Sequence, residues 1–72
     1  MNKKERAAVL AKKLKMARLL ANLNQQQVAS RLGTSQAGVS AWETRGTDSL
    51  HVVWILAEIY HVEPFDLIGD LK

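Results

Sequence analysis

Between Gln25 and Glu43 the chain reads QQQVASRLGTSQAGVSAWE, two short runs of helical apolar spacing with a glycine between them. Val28, Ala29 and Leu32 recur at the intervals that put side chains on one face of a helix. Gly33 follows at once, and a glycine suits the left-handed backbone that ends many helices. Val39 and Trp42 then face back toward the first run, and the small Ala29 lets the second helix cross close over the first. An ordinary helical hairpin in a small bundle is the bland alternative. It does not require apolar, small and Gly positions to fall together in this order.

That spacing is the one found in a helix-turn-helix, whose second helix is sized to lie in the DNA major groove. Further signals flank it. Leu14 and Arg18 (LxxxR) end a first helix, and Leu23 to Gln25 (LNQ) open the next. The turn and third helix read GTSQ (Gly33 to Gln36) and VSAWE (Val39 to Glu43). LAEIYHV (Leu56 to Val62) and EPFDLI (Glu63 to Ile68) follow. In these motifs, over about Leu14 to Ile68, the chain resembles the Cro and lambda-repressor type of helix-turn-helix domain, the XRE family of transcription regulators. The resemblance implies an all-α, compact five-helix DNA-binding domain with the motif in helices two and three. With the length of the chain, it leads to the expectation of a single domain over 1–72, with a core at 14–68 and a basic N-terminal extension of helix one over 1–13.

Seventy-two residues lie near the lower limit for folding without a staple. There is no Cys, and two lone histidines, His51 and His61, make no metal constellation, so neither metal nor cofactor is expected. A 47% hydrophobic content with one Pro and four Gly fits a helical bundle held by apolar burial. Lys12, Lys13 and Lys15 interrupt any signal-peptide run, and Val52 to Ala57 is far too short to cross a bilayer. A soluble protein with no membrane partner is expected, in the cytoplasm of a bacterial cell or phage-infected host. Net charge is +3, but Lys3, Lys4, Arg6, Lys12, Lys13, Lys15 and Arg18 oppose only Glu5 before residue 20, while acids dominate after residue 45. A basic end suits a face presented to phosphate; a solvated lysine-rich helix is the other reading.

Helix one is expected from about Lys4 to Ala21, ending at Asn22, with Leu10, Leu14, Ala17 and Ala21 as its core stripe. Asn24 caps helix two, with Gln27 as its capping-box partner, and Ser35 or Thr34 caps helix three. Helix four runs from the cap Ser49 to Tyr60, with Leu50, Val53, Trp54, Leu56, Ala57 and Tyr60 inward. Pro64 opens a short fifth helix that closes at Gly69.

Base edges are read from the start of a recognition helix, here Ser35, Gln36, Ala37 and Ser40. The Gln36 carboxamide can pair with adenine N6 and N7, Ala37 can touch a thymine methyl, and Ser40 can reach a base or a phosphate. Gly38 either lets the helix approach the groove closely or is simply tolerated. The resemblance carries further roles. Gln25 resembles the family glutamine that bonds a phosphate and braces the first reading residue, and Arg18 resembles an arginine near both the DNA backbone and the acid ending helix three, Glu43. An Arg18–Glu43 ion pair is therefore expected. Thr34, Lys13, Lys15 and Arg45 complete the phosphate candidates, with the backbone of Gly46. The loop TRGTDS (Thr44 to Ser49) departs from the family pattern: it is shorter, lacks Pro and has one base.

Two apolar stripes exceed what a small bundle requires: Val52, Ile55 and Ile59 on helix four, and Val9, Met16 and Leu20 on helix one. They mark a dimer or partner interface, or they are buried where an extended helix one folds over helices four and five. The function expected is a small sequence-specific regulator, a Cro-like repressor that binds double-stranded DNA as a homodimer on a two-fold operator. The alternatives are an antitoxin-like subunit and an anti-repressor, both of which chiefly bind a partner protein. No catalytic constellation is present, and an enzyme is not expected.

Overall fold

Four of the five helices begin at a side chain that can accept a backbone N–H, and this sets the frame in the computed structural model, which describes residues 1–69. Asn2 accepts from the Glu5 N–H at 2.8 Å and starts α1, Lys3–Leu20, one residue earlier than the sequence reading. Asn24 and Gln27 form the expected reciprocal capping box, 2.8 Å in both directions, at the head of α2, Gln25–Leu32. Ser35 accepts from Gly38 to open α3, Gln36–Arg45, and Ser49 accepts from Val52 to open α4, Leu50–Tyr60. The cap of α3 is thus Ser35 rather than Thr34. Pro64 occupies the first turn of α5, Pro64–Ile68, where its missing N–H costs nothing.

Three of the exits use a left-handed residue. Asn22, Gly33 and His61 have φ of 59°, 68° and 57°. In each, the following N–H folds back onto a carbonyl five residues earlier: Leu23 to Arg18, Thr34 to Ala29 and Val62 to Ala57. These closures turn the chain so that α2 packs on α3, while α1 lies against α3, α4 and α5. The shared core is Leu10, Leu14 and Ala17 of α1, Val28 and Ala29 of α2, Val39 of α3, four α4 residues and Leu67. Ala21, the last member of the expected α1 stripe, is half-buried at its edge. Among the described residues no helix is long and apolar enough to cross a membrane.

On α4 the inner face is Val53, Leu56, Ala57 and Tyr60. Leu50 and Trp54, expected inward, are instead 61% and 51% exposed. Conversely Val52 and Ile59, expected on an outer stripe, pack half-buried against the core, and Ile55 is also half-buried. The reason is compositional. Every α4 residue except His51 and Glu58 is apolar, so periodicity cannot choose a face, and the neighbouring helices choose it. On α1 the expected stripe also splits: Val9 is half-buried, whereas Met16 and Leu20 are open.

Candidate nucleic-acid interface

Buried charge organises the motif. The Arg18 guanidinium grips Glu43 in a two-pronged pair, Nε to Oε2 at 2.7 Å and Nη2 to Oε1 at 3.1 Å. Its remaining nitrogen, Nη1, donates to the Leu23 carbonyl at 2.8 Å. The two side chains are only 8% and 3% exposed. Hydrogen bonding to Glu43 raises the Arg18 pKa above its ordinary value, against the opposing effect of burial. α1, the α1–α2 turn and the end of α3 are therefore fastened at one point.

From Glu43 the chain of bonds runs outward. Gln25, first in α2, donates from Nε2 to Glu43 Oε1 at 3.1 Å. Its own Oε1 accepts from Gln36 Nε2 at 3.4 Å, at the open end of the network. Gln36 is thereby steadied while keeping its carbonyl oxygen and one amide hydrogen, the pair of groups adenine N6 and N7 require. Around it, Ser35 and Ala37 are exposed and Ser40 half-exposed, while Val39 and Trp42 hold the opposite face of α3 to the core. A helical step of about 100° aligns Ser40 with Thr44, whose hydroxyl donates to the Ser40 carbonyl at 2.8 Å. Thr44 extends this outward edge by one turn.

A family model described as helix-turn-helix matches residues 14–67, three quarters of the chain. The chain belongs to the Cro and lambda-repressor type of helix-turn-helix proteins. It is accordingly a DNA-binding transcription regulator of the XRE type. No curated protein and no solved structure matches it.

In this helix-turn-helix protein the residues expected to face phosphate fall into two groups. Thr34 is exposed, with its N–H committed to the Ala29 carbonyl. Lys15 and Arg45 are exposed too, and Gln25 sits half-buried at the head of α2. Arg18 and Lys13 form the second group and bond within the protein. Arg18 is 7% exposed with each of its three nitrogens bonded inside, which gives it the internal role expected of the Glu43 pair. Lys13 lies on the α5 side of α1, its Nζ donating to the Asp66 carbonyl at 3.3 Å. Two residues on, Lys15 stands about 200° away round the helix, on the flank it shares with Lys4.

The short α3–α4 loop is explained by α1. Gly46 has φ 76°, and a Cβ there would stand 2.6 Å from the Ala7 carbonyl oxygen. Its N–H is already bonded to the Trp42 carbonyl at 2.9 Å, so the Gly46 backbone is not the phosphate donor expected from the sequence. The contact places Lys4 beside Arg45 and Thr44 along one shallow cleft, with Lys3 paired to Asp48 at 3.7 Å in full solvent. Sequence reasoning missed Lys4 and Thr44. The available signal was the basic residue at the start of a long helix one, set against a loop poor in bases.

Gly38 has a local reason. An added Cβ would come within 3.1 Å of Thr34 Oγ1 and 3.6 Å of Ser35 Oγ, so the capping turn is wound against it.

Proposed function

We propose that this chain is a sequence-specific regulator that acts as a Cro-like repressor. It lies on a two-fold operator as a homodimer and blocks access to a promoter. The α3 helix enters the major groove with Ser35, Gln36, Ala37 and Ser40 toward base edges, and Gln36 reads an adenine. Gln25, Thr34, Lys15 and Arg45, joined by Lys4, set the register on phosphates, which attract such side chains regardless of sequence. The observation that carries this reading is the bonded series from Arg18 through Glu43 and Gln25 to Gln36, which ends at an outward carboxamide. A reading side chain braced in advance loses less freedom on binding.

The test is titration of wild type and Gln36→Ala against duplexes that differ at one base pair. Wild type should prefer adenine at one position of each half-site, and the variant should lose ~1–3 kcal/mol of that preference. An identical preference in both proteins removes Gln36 from the reading role. The antitoxin-like or anti-repressor reading draws on one observation, the exposed Leu50 and Trp54. Failure of the chain to bind any duplex at low salt would favour the anti-repressor, whereas the antitoxin-like subunit keeps its DNA binding and is told from the homodimer by its size in solution without a partner.

A further inference from the structure

We propose that the outer face of α4 is a two-fold contact with a second copy of this chain, with its axis midway between Trp54 and Ile55. The proposal rests on the homodimer reading above but is tested without DNA. Leu50 and Trp54 are 61% and 51% exposed, and together with His51, Ile55 and Glu58 they line one shallow cleft. A half-exposed tryptophan flanked by leucine and isoleucine is the composition of an interface anchor with a polar edge.

What selects a second copy is the position of the two polar residues. His51 and Glu58 are the only charged or imidazole side chains of α4, and they lie seven apart, on nearly one line along the outer face. That separation is ~10 Å along the axis, too long for the two to pair within one helix. They are also equidistant from the point between Trp54 and Ile55. Two α4 helices laid antiparallel about that point bring His51 of each copy opposite Glu58 of the other. An imidazole N–H then donates to a carboxylate at both ends of the contact. In the same arrangement Trp54 packs beside its own counterpart on one side of the line, and Ile55 beside its own on the other. A closed two-fold contact demands this kind of self-complementarity. A parallel pairing would set His against His and Glu against Glu.

The experiment is sedimentation equilibrium of the whole chain without DNA over a range of concentrations. The mass should rise from 8.0 kDa toward twice that value. Trp54→Lys should remain monomeric with an unchanged far-ultraviolet circular dichroism spectrum, because the side chain it replaces is half in solvent. His51→Glu, which sets like charges opposite each other, should weaken the dimer by roughly tenfold or more. Adding Glu58→Lys to it should restore the affinity to near that of wild type. A monomer at every concentration overturns the proposal and leaves the face to a different protein. So does a dimer indifferent to Trp54→Lys, or a charge exchange that brings no rescue. Binding of an unspecific duplex, measured on wild type and on Trp54→Lys, keeps the two readings apart. Loss of duplex binding by both proteins counts against the DNA reading and leaves the sedimentation result standing.

Discussion

Glu43, with 3% of its side chain exposed, accepts from both Arg18 and Gln25, and much of the motif's rigidity depends on that carboxylate staying paired. Removal of one partner leaves a buried charge uncompensated. Arg18→Ala should cost ~3–5 kcal/mol of stability, seen as a lower melting temperature. It should also weaken binding to all duplex sequences, since Gln25 and Gln36 lose their anchor. An unchanged melting temperature would contradict the account of the pair. Tyr60 offers a second test beside it. Its hydroxyl is buried without a hydrogen-bond partner among the described residues, and its pKa is pushed up to about 12. Burial is the main cause, the Glu43 carboxylate adds to it and Arg18 opposes it. A raised folded-state pKa means that the stability involved is intact below the unfolded value of 10.0 and is lost as pH rises toward 12. Tyr60→Phe should therefore lose measurably less stability than wild type between those pH values, read by denaturant unfolding. Equal losses in the two proteins would reject a titrating Tyr60. At this scale the Arg18–Glu43 pair was legible in the sequence, because both residues match a family pattern. The depth of Arg18's burial was not, because it depends on the Leu23 carbonyl, supplied by a turn of the chain.

Caps and turns made the helices legible as elements. Asn24, Ser35 and Ser49 begin α2, α3 and α4 where their side chains predict, and Gly33 ends α2 in the left-handed conformation. Faces were harder. α4 is apolar almost all round, so only its packing partners show that Val52 and Ile59 turn inward and Trp54 outward. His51 and Glu58 were the signal in the sequence, since two polar residues two turns apart mark the side left to solvent. The join between α1 and the α3–α4 loop was not legible, because it pairs Gly46 with the backbone of Ala7 across most of the chain. It yields a comparison of glycines. Gly33→Ala meets only a left-handed backbone in open space and should cost ~1–2 kcal/mol. Gly46→Ala adds a collision with the Ala7 carbonyl and should cost clearly more, enough to detach the first turns of α1. Equal costs, read by thermal unfolding, would contradict the packing of α1 on the loop.

For the molecule as a whole, the long α1 joins the DNA-reading motif to the α4–α5 side, and its basic N-terminal end reaches the loop after α3. Bases absent from that loop are thus supplied from the other end of the chain, beside Arg45. A surface of this kind binds duplex DNA through phosphate first and sequence second, so the two contributions separate with salt. The fold class was legible from motif spacing and the family match agrees with it, whereas operator sequence is set by contacts that no helix pattern specifies. The most direct measurement is selection of bound sequences from a random duplex pool at low and near-physiological salt. The expected result is one two-fold symmetric site whose half-sites are ~34 Å apart, with affinity falling steeply as salt rises. No enriched sequence at either salt would contradict it.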